Sequence, residues 1–417
     1  MGGDVFNTDA DGRVIPVGEA MRRAKNRVPS DANKLRYVFM GDPALRLALP
    51  SLHATFDMIG GVAVDASPEA EQCIIPALAP VTLTGRITDH EGNLVSDFNG
   101  SIQLTIYDAE RSVTSLGRLG NTPVTFDVMG ERIYAGCATV KDGVWETSVI
   151  IPAEIADNFR PATLSLFASS ETGLEAGGVS SDFYVYGLAE NAIADDKAPS
   201  INSLVVNHPD FKEGDVVNAS PMVIADISDD FGLNMSTAGV GHQMTINLDN
   251  TDLLTDVSLY FTPDSNGEPR GTIAYQLPEL SAGNHTATLR VWDIAGNSAS
   301  RSIDFFVDPT AAPKIFDVYT DANPATVEAN FYVEHNRPDA MLEVRIEIVD
   351  LGGRTVWANT SRGRADMYMS QPVNWNLTNM QGGKVTRGIY LYRCTVSSTD
   401  SENASASTVA KRIAVAP

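Results

Sequence analysis

The stretch RYVFMGDPALRLALP, residues Arg36–Pro50, separates two kinds of sequence pattern in this chain. Its first part, Tyr37–Met40, is a short continuous apolar run, the pattern of a strand buried on both faces of a parallel sheet. Gly41-Asp42-Pro43 breaks the run, and Pro50 ends the apolar segment Ala44–Leu49. The residues before this stretch indicate an α/β fold, whereas those after it indicate antiparallel β structure.

The segment Gly18–Asn26, GEAMRRAKN, predicts a short helix because Ala20, Met21 and Ala24 fall on one face. A helix and one two-sided strand cannot hide their own apolar surface, since a buried parallel strand needs neighbouring strands and a covering layer. All later segments alternate, as one-sided strands do, so we expect those neighbours upstream of residue 1. Residues 1–50 are therefore predicted to be the tail of a larger α/β domain; the alternative is that they pack on the β domains.

The remainder of the chain predicts a linker at 51–80, a β-sandwich at 81–190, a second linker at 191–200, and further β-sandwiches at 201–308 and 309–417. Alternation with period two, as in Leu342–Ile348, and hairpin signals such as Asp142-Gly143 recur at sandwich spacing. The predicted fold class is mainly β, with tandem immunoglobulin-like antiparallel sandwiches after an α/β tail. No apolar run is long enough for a spanning helix, and MGGDVF is not a signal peptide.

The net charge of −23 is unevenly distributed. Residues 1–50 hold 8 Lys/Arg and 6 Asp/Glu, a balance of +2; residues 51–310 hold 11 and 36, which gives −25; residues 311–417 hold 11 and 11, which is neutral. The acidic middle argues against nucleic acid or an anionic membrane as a partner. The neutral C-terminal part is the better candidate for a surface that meets another macromolecule.

No complete active site is predicted in these residues. Cys73 is predicted to lie in a linker, Cys137 in a strand and Cys394 in a core, and their spacing indicates neither a disulfide framework nor a zinc site. The histidines are scattered without ligand spacing: His53, His90, His208, His242, His285 and His335. No nucleophile elbow, phosphate loop or zincin helix is present in the sequence. We therefore predict no catalytic residue, no cofactor site and no metal ligand set.

The sequence suggests specific roles for two groups of polar residues. Asp293 and Asn297, in DIAGN, are predicted to form a tight turn between two strands. Asp226, Asp229 and Asp230, in ADISDDFGLN, could supply oxygen ligands to calcium, although no twelve-residue calcium loop accompanies them. Calcium binding is kept as an alternative.

The two ends of the chain resemble parts of known families. GEAMRRAKN followed by RYVFMGDPALRLALP resembles the closing helix and strand of gingipain-type cysteine peptidases, which have a caspase-like α/β fold. The matching residues are Gly18, Glu19, Ala20, Lys25, Asn26, Gly41, Asp42, Pro43, Ala44, Leu45, Leu47 and Pro50. The last 105 residues or so resemble the C-terminal signal domain of type IX secretion cargo, through Asn323-Pro324, EIVDLGGRTVW, RGIYLYRC and Lys411. This order of modules, with an acidic β middle, resembles the sortases of that secretion system.

The resemblance implies that the chain is the C-terminal, non-catalytic part of a cell-surface cysteine peptidase. Such a sortase removes C-terminal signal domains from type IX cargo and attaches the cargo to anionic lipopolysaccharide. The family's catalytic His and Cys lie upstream of the helix that matches Gly18–Asn26, so no catalytic residue is carried over. The implied location is the Gram-negative outer membrane surface, reached through the periplasm.

The same resemblance implies the partners and a docking role. They are an outer-membrane β-barrel shuttle protein (the PorV type), other attachment-complex subunits, and the secreted cargo. We expect docking through an apolar patch or an edge strand of the last domain, at Ile389–Val396 and Ala410–Val415.

Two other functions remain open from the sequence. A surface adhesin or carbohydrate-binding array would present exposed aromatic side chains, and the candidates are Trp145, Trp292, Trp357 and Trp375. A calcium-stiffened stalk would depend on Asp229 and Asp230.

Overall fold

In the computed structural model, the described residues are 14–27, 36–64, 73–120, 122–192, 194–236, 241–264, 267–398, 405–408 and 410–416. They form one α-helix and thirty β-strands, so the chain is mainly β, as predicted. The strands gather around three separate hydrophobic cores. We call the three units the first body (residues 52–188), the second body (200–307) and the third body (315–415). No helix within the described ranges has both the length and the apolar character needed to cross a bilayer.

The predicted helix is present as α1, Val17–Arg27, and it packs on the loop that follows Met40. Its first amides donate to that loop: Val17 N to Leu45 O at 2.9 Å, and Gly18 N to Pro43 O at 2.9 Å. A Cβ atom at Gly18 would lie 2.6 Å from Pro43 Cβ, so only glycine allows this approach. The helix and the loop, the two segments that carry the peptidase resemblance, are therefore in direct contact.

The prediction of a strand at Tyr37–Met40 is wrong. These residues belong to no sheet, and their side chains are exposed; Val38 is 75% exposed and Met40 is 93% exposed. A parallel strand forms only when neighbouring strands satisfy its backbone groups, and the described part of this chain offers it none. The apolar run is thus present in the structure as uncovered surface.

The first body is built around a nine-stranded sheet. Its strands are β1 (Leu52–Ala54), β2 (Met58–Ile59), β3 (Val62–Ala63), β4 (Ile74–Ala77), β5 (Val81–Thr88), β6 (Gly100–Tyr107), β7 (Arg111–Thr114), β8 (Thr125–Val128), β9 (Arg132–Lys141), β10 (Val144–Val149), β11 (Thr163–Ser170), β12 (Glu175–Ser180) and β13 (Tyr184–Leu188). The order is β1-β12-β11-β6-β9-β10-β5-β2-β3, and β1 also pairs with β5. The pairs β4–β13 and β7–β8 complete the body. The predicted Asp142-Gly143 turn joins β9 to β10, with φ of 51° and 76°.

The segment 51–80, predicted to be a linker, contributes four strands to the first body. β1 pairs in parallel with β12, and β4 pairs in parallel with β13, so both depend on partners more than 100 residues away in the chain. Ile75 and Cys73 are buried in the first core as a result. The predictions that 51–80 is a linker and that Cys73 lies in a linker are therefore wrong. Short strands with distant partners leave no repeating local pattern in the sequence, so periodicity does not indicate them.

The second body consists of two facing sheets, β14-β16-β20-β19 and β15-β22-β21-β17-β18. Its strands are β14 (Ser200–Val206), β15 (Val216–Val217), β16 (Met222–Ser228), β17 (Thr245–Leu248), β18 (Leu254–Asp256), β19 (Phe261–Pro263), β20 (Arg270–Gln276), β21 (Gly283–Trp292) and β22 (Ser298–Val307). The 3-10 turn Ser258–Tyr260 connects β18 to β19. Asp256 Oδ1 accepts a hydrogen bond from Ser258 N at 2.8 Å and stabilises this turn.

The third body pairs a sheet β23-β24-β27 with a sheet β26-β25-β28-β29, and β30 also pairs with β28. Its strands are β23 (Ile315–Thr320), β24 (Ala329–His335), β25 (Met341–Val349), β26 (Thr355–Arg364), β27 (Val373–Trp375), β28 (Gly388–Ser398), β29 (Ser405–Ser407) and β30 (Lys411–Val415). The alternation predicted for Leu342–Ile348 is confirmed, with Leu342, Val344 and Ile346 buried. Cys394 lies in the core of this body, as predicted.

Candidate functional site

The three thiols, those of Cys73, Cys137 and Cys394, are all buried. Burial raises the pKa of the Cys137 thiol, and it raises the pKa of Cys394 to about 12. Because the thiolate is the reactive form, both side chains stay protonated and inert near neutral pH.

Three of the histidines lie within hydrogen-bonding distance of carboxylates. His285 Nδ1 lies 2.8 Å from Asp249 Oδ2, within the second body. His242 Nδ1 lies 2.6 Å from Glu154 Oε1, and His208 Nε2 lies 3.3 Å from Glu334 Oε1. The last two contacts connect different bodies. Two of these histidines, His242 and His208, therefore lie at junctions between bodies, and His285 lies inside the second body.

The first and second bodies meet along β9 and the loops after β10. Arg132 donates to the backbone oxygen of Ser258, and Cys137 Sγ lies 3.9 Å from Pro263 O. The side chain of Ala135, on the same strand, is buried in the core of the second body. The contact is thus formed by packing as well as by polar groups.

The junction of the second and third bodies is centred on His208. Its ring stacks on Phe316 with centroids 3.6 Å apart, and Tyr368 contacts it edge-on at 5.1 Å. The Lys314 ammonium lies 4.7 Å from the centroid of the Phe316 ring. Arg337, which is almost fully buried, donates to Ala311 O at 2.8 Å. These contacts fix how the third body is attached.

His335, beside this junction, makes stability depend on pH. It is fully buried, and burial, followed by the charges of Arg337 and His208, lowers its pKa to about 4. Below pH 6.5 the unfolded chain binds a proton that the folded chain binds only near pH 4, so stability is complete above pH 6.5 and falls as the pH decreases. We expect the third body to lose on the order of 3 kcal/mol between pH 7 and pH 4 from this group, measured by urea unfolding. His335→Gln should flatten that slope; an unchanged slope would contradict the assignment.

The predicted turn at Asp293 and Asn297 is confirmed. Asp293 Oδ1 accepts hydrogen bonds from Ala295 N at 2.9 Å and from Asn297 N at 2.7 Å, and Asp293 Oδ2 accepts one from Asn297 Nδ2 at 2.8 Å. Asp293 is fully buried. Its role in the turn is therefore structural.

The acidic residues considered for calcium separate into two groups. Asp226 forms an ion pair with Arg270 at 2.5 Å, and this pairing lowers the pKa of its carboxyl. Asp229 and Asp230 instead come together with Asp195, from the segment before β14. Sequence reasoning missed Asp195 because its partners lie more than 30 residues further along; the acidic pair Asp195-Asp196 was the available signal.

The strand segments expected to dock a partner differ in their exposure. β28 lies inside its sheet, between β25 on one side and β29 and β30 on the other, so Ile389–Val396 is not an edge. Its outward face still exposes Ile389, which is 52% exposed. The outer edge of β30 is covered by the loop at Asn323, whose Oδ1 accepts from Ala414 N at 2.9 Å. Among the described residues, β26 ends its sheet as an edge strand.

The four tryptophans do not form an exposed platform. Trp145 and Trp375 are fully buried in the first and third cores. Trp292 is half-buried beneath the Arg290 guanidinium, 4.2 Å from its ring centroid, and beside His242. Trp357 is half-buried and lies 6.1 Å from Trp375. None of the four tryptophans is therefore the exposed aromatic side chain that the carbohydrate-binding alternative requires.

No family profile matches this chain. No curated protein matches it either. Among solved structures, the chain is 32% identical to dimeric latent PorU from Porphyromonas gingivalis, with a TM-score of 0.40; the match covers 99% of this chain and 38% of that chain. A 1.5-MDa bacterial ice-binding adhesin matches at 15% identity and a TM-score of 0.18, over 88% of this chain and 98% of its own. The FN1–FN3 domains of chicken CNTN1 match at 9% identity and a TM-score of 0.21, over 83% and 97%.

The identity to PorU extends along almost the whole of this chain, and the overall superposition is loose. The chain spans 38% of the PorU chain that it matches. By sequence, this protein is similar to a part of PorU.

Proposed function

We propose that this chain is the C-terminal β array of a type IX secretion sortase, and that it acts as spacer and docking arm for a cysteine peptidase domain. The observation that supports the proposal most is the 32% identity to latent PorU over 99% of this chain. The contact between α1 and the loop at Pro43 agrees with it, because the two segments that resemble a peptidase domain pack on each other.

In this proposal, catalysis belongs to residues outside the chain. The parent enzyme would remove C-terminal signal domains from cargo and attach the cargo to anionic lipopolysaccharide, at the outer surface of a Gram-negative outer membrane. The three thiols are buried, and burial raises the pKa values of Cys137 and Cys394, so these two side chains stay protonated and are poor nucleophiles. The three bodies instead hold the peptidase at a fixed distance from its anchor, through the packed junctions at Ala135 and His208.

The third body is the proposed anchor. Its outward patch contains Ile389, Leu391, Val349 and Ala414, which lie on one face because β28 pairs Ile389 with Ala414 and Leu391 with Val349. Ile389 is the most prominent of them. The third body holds 10 Lys/Arg and 11 Asp/Glu, a net charge of −1. An apolar patch on a body of such low net charge suits a protein partner better than it suits an anionic surface. We propose an outer-membrane β-barrel of the shuttle type as that partner, together with other attachment-complex subunits.

The docking proposal predicts the outcome of a pull-down. The whole 417-residue chain should retain the shuttle barrel from detergent-solubilised outer membranes, and Ile389→Arg should reduce the retained barrel at least tenfold. A charge placed in a desolvated contact is left without a partner, which is why the loss is large. Val327→Arg, at a site that is 71% exposed near the other sheet, is the matched control and should retain the barrel normally.

Two outcomes would contradict this assignment. If the folded chain fails to retain the barrel, or if Ile389→Arg and Val327→Arg behave alike, the outward patch is not the anchor. Retention of glycans by the same chain would favour the adhesin alternative instead.

A further inference from the structure

Three segments of the chain converge at one end of the second body. They are residues 194–199 before β14, the loop Asp229–Gly232 after β16, and the turn Asp293–Asn297 between β21 and β22. Asn297 Nδ2 donates to Asp195 O at 3.2 Å, and Ile294 N donates to Gly232 O at 2.9 Å. These contacts place the acidic side chains of the first two segments beside each other.

The carboxylates of Asp195, Asp229 and Asp230 form a compact oxygen cluster. One oxygen atom from each lies within 4.8 Å of the others. Asp195 Oδ1 accepts from Lys197 N at 3.1 Å, and Asp229 Oδ2 accepts from Phe231 N and Gly232 N at 2.7 Å each. Asp230 Oδ2 pairs with the Lys197 ammonium. Each carboxylate is thus held in place by one of its two oxygens.

The remaining oxygens of two carboxylates are buried, and no donor among the described residues reaches them. Asp229 is only 9% exposed, and its Oδ1 accepts no hydrogen bond from any described residue; the same is true of the buried Oδ2 of Asp195. A buried carboxylate oxygen with no donor is strongly unfavourable, and two of them close together are worse. Burial, then the charges of Asp293 and Asp195, raise the pKa of Asp229. The two buried oxygens therefore form a site where a bound cation would be stabilised.

The balance of charges around the aspartate cluster also favours a bound cation. Asp195, Asp229, Asp230 and the fully buried Asp293 contribute four negative charges, whereas Lys197 contributes one positive charge. The Lys197 side chain is 68% exposed and forms an ion pair with Asp230, and the charges of Asp195 and Asp196 act on it as well. One exposed lysine leaves most of the negative charge of the cluster uncompensated.

We infer that Asp195, Asp229 and Asp230 bind a calcium ion. The donors are all oxygen, the ligand type of calcium and magnesium rather than of zinc or copper. They come from loops, and calcium accepts a wider range of ligand geometries than the strict octahedron of magnesium. Calcium binding would displace the Lys197 ammonium from Asp230. The ion would tie the segment that joins the first and second bodies to the end of the second body. This inference is independent of the proposed sortase function.

Isothermal titration of the whole chain with calcium chloride, after removal of divalent ions by a chelator, tests the inference. A dissociation constant on the order of 10⁻⁴ M, the range of extracellular calcium modules, is expected, with magnesium binding at least tenfold more weakly. Asp229→Asn keeps the acceptor for Phe231 N and Gly232 N, so it should fold, and it should weaken calcium binding at least tenfold. Asp195→Asn should do the same.

Two further variants test whether calcium binding depends on this cluster rather than on neighbouring charged residues. Asp226 lies on β16, just before the loop that carries Asp229 and Asp230, and it pairs with Arg270 instead, so the calcium affinity of Asp226→Asn should equal that of the unmodified chain. Lys197→Ala removes the competing cation and should strengthen calcium binding severalfold. The inference is overturned if calcium does not bind at millimolar concentration, or if a folded Asp195→Asn, Asp229→Asn double variant binds it as the unmodified chain does.

Discussion

Replacing Trp375 by alanine is expected to lower the free energy of unfolding of the third body by about 3–5 kcal/mol. Trp375 is completely buried, and its indole Nε1 donates to Thr378 O at 2.8 Å. Its ring lies 6.1 Å from the rings of both Trp357 and Tyr390, so it joins β27 of one sheet to β28 and β26 of the other. Removing the indole therefore leaves a cavity between the two sheets and an unpaired carbonyl.

Urea unfolding followed by far-ultraviolet circular dichroism measures this loss. Trp357→Ala is the matched control, because Trp357 lies in the same body but is only half-buried; we expect a loss of about 1–2 kcal/mol. Trp375→Phe should recover part of the difference. A loss below about 1 kcal/mol for Trp375→Ala would show that the two sheets do not share the core described here.

The same variant connects stability to the proposed anchor. The outward patch at Ile389 is presented by β28, whose inward residues Tyr390 and Tyr392 pack in the core that contains Trp375. Loosening that core should therefore reduce barrel retention as well, whereas Val327→Arg should affect neither property.

The long strands of the chain were predictable from sequence, because each buries one face. Leu342, Val344 and Ile346 alternate with Glu343 and Arg345, and the structure buries the first set and exposes the second. The turn at Asp293 and the hairpin at Asp142-Gly143 were predictable as well, because their backbone geometry selects particular residue types.

The features that were missed depend on distant pairing. β1 and β4 are short and take parallel partners far along the chain, so no local repeat announces them. Periodicity does not reveal the order of strands in a sheet, so Ile389–Val396 could not be recognised as an interior strand. Asp195 was missed for a similar reason, since its neighbours Asp229 and Asp230 meet it only after folding.

The second prediction with a large effect concerns hydrogen exchange at the exposed apolar segment Tyr37–Met40. Within the described part of the chain its amides take part in no sheet, and Tyr37, Val38 and Met40 face solvent, although the sequence has the pattern of a buried strand. If this segment completes a parallel sheet in a peptidase domain, neighbouring strands would bond its amides there. We therefore expect its hydrogen exchange to slow at least 100-fold when a peptidase domain is present.

Hydrogen exchange at Tyr37–Met40, followed by mass spectrometry, tests the central claim most directly. It compares this chain with a polypeptide that also carries the peptidase domain. The amides of Val17 and Gly18, which donate to Leu45 and Pro43, give an internal reference for protection within α1 and its loop. The account predicts near-unfolded exchange at Tyr37–Met40 in this chain and strong protection in the longer polypeptide. Equal exchange in both, or protection already complete in this chain, would contradict it.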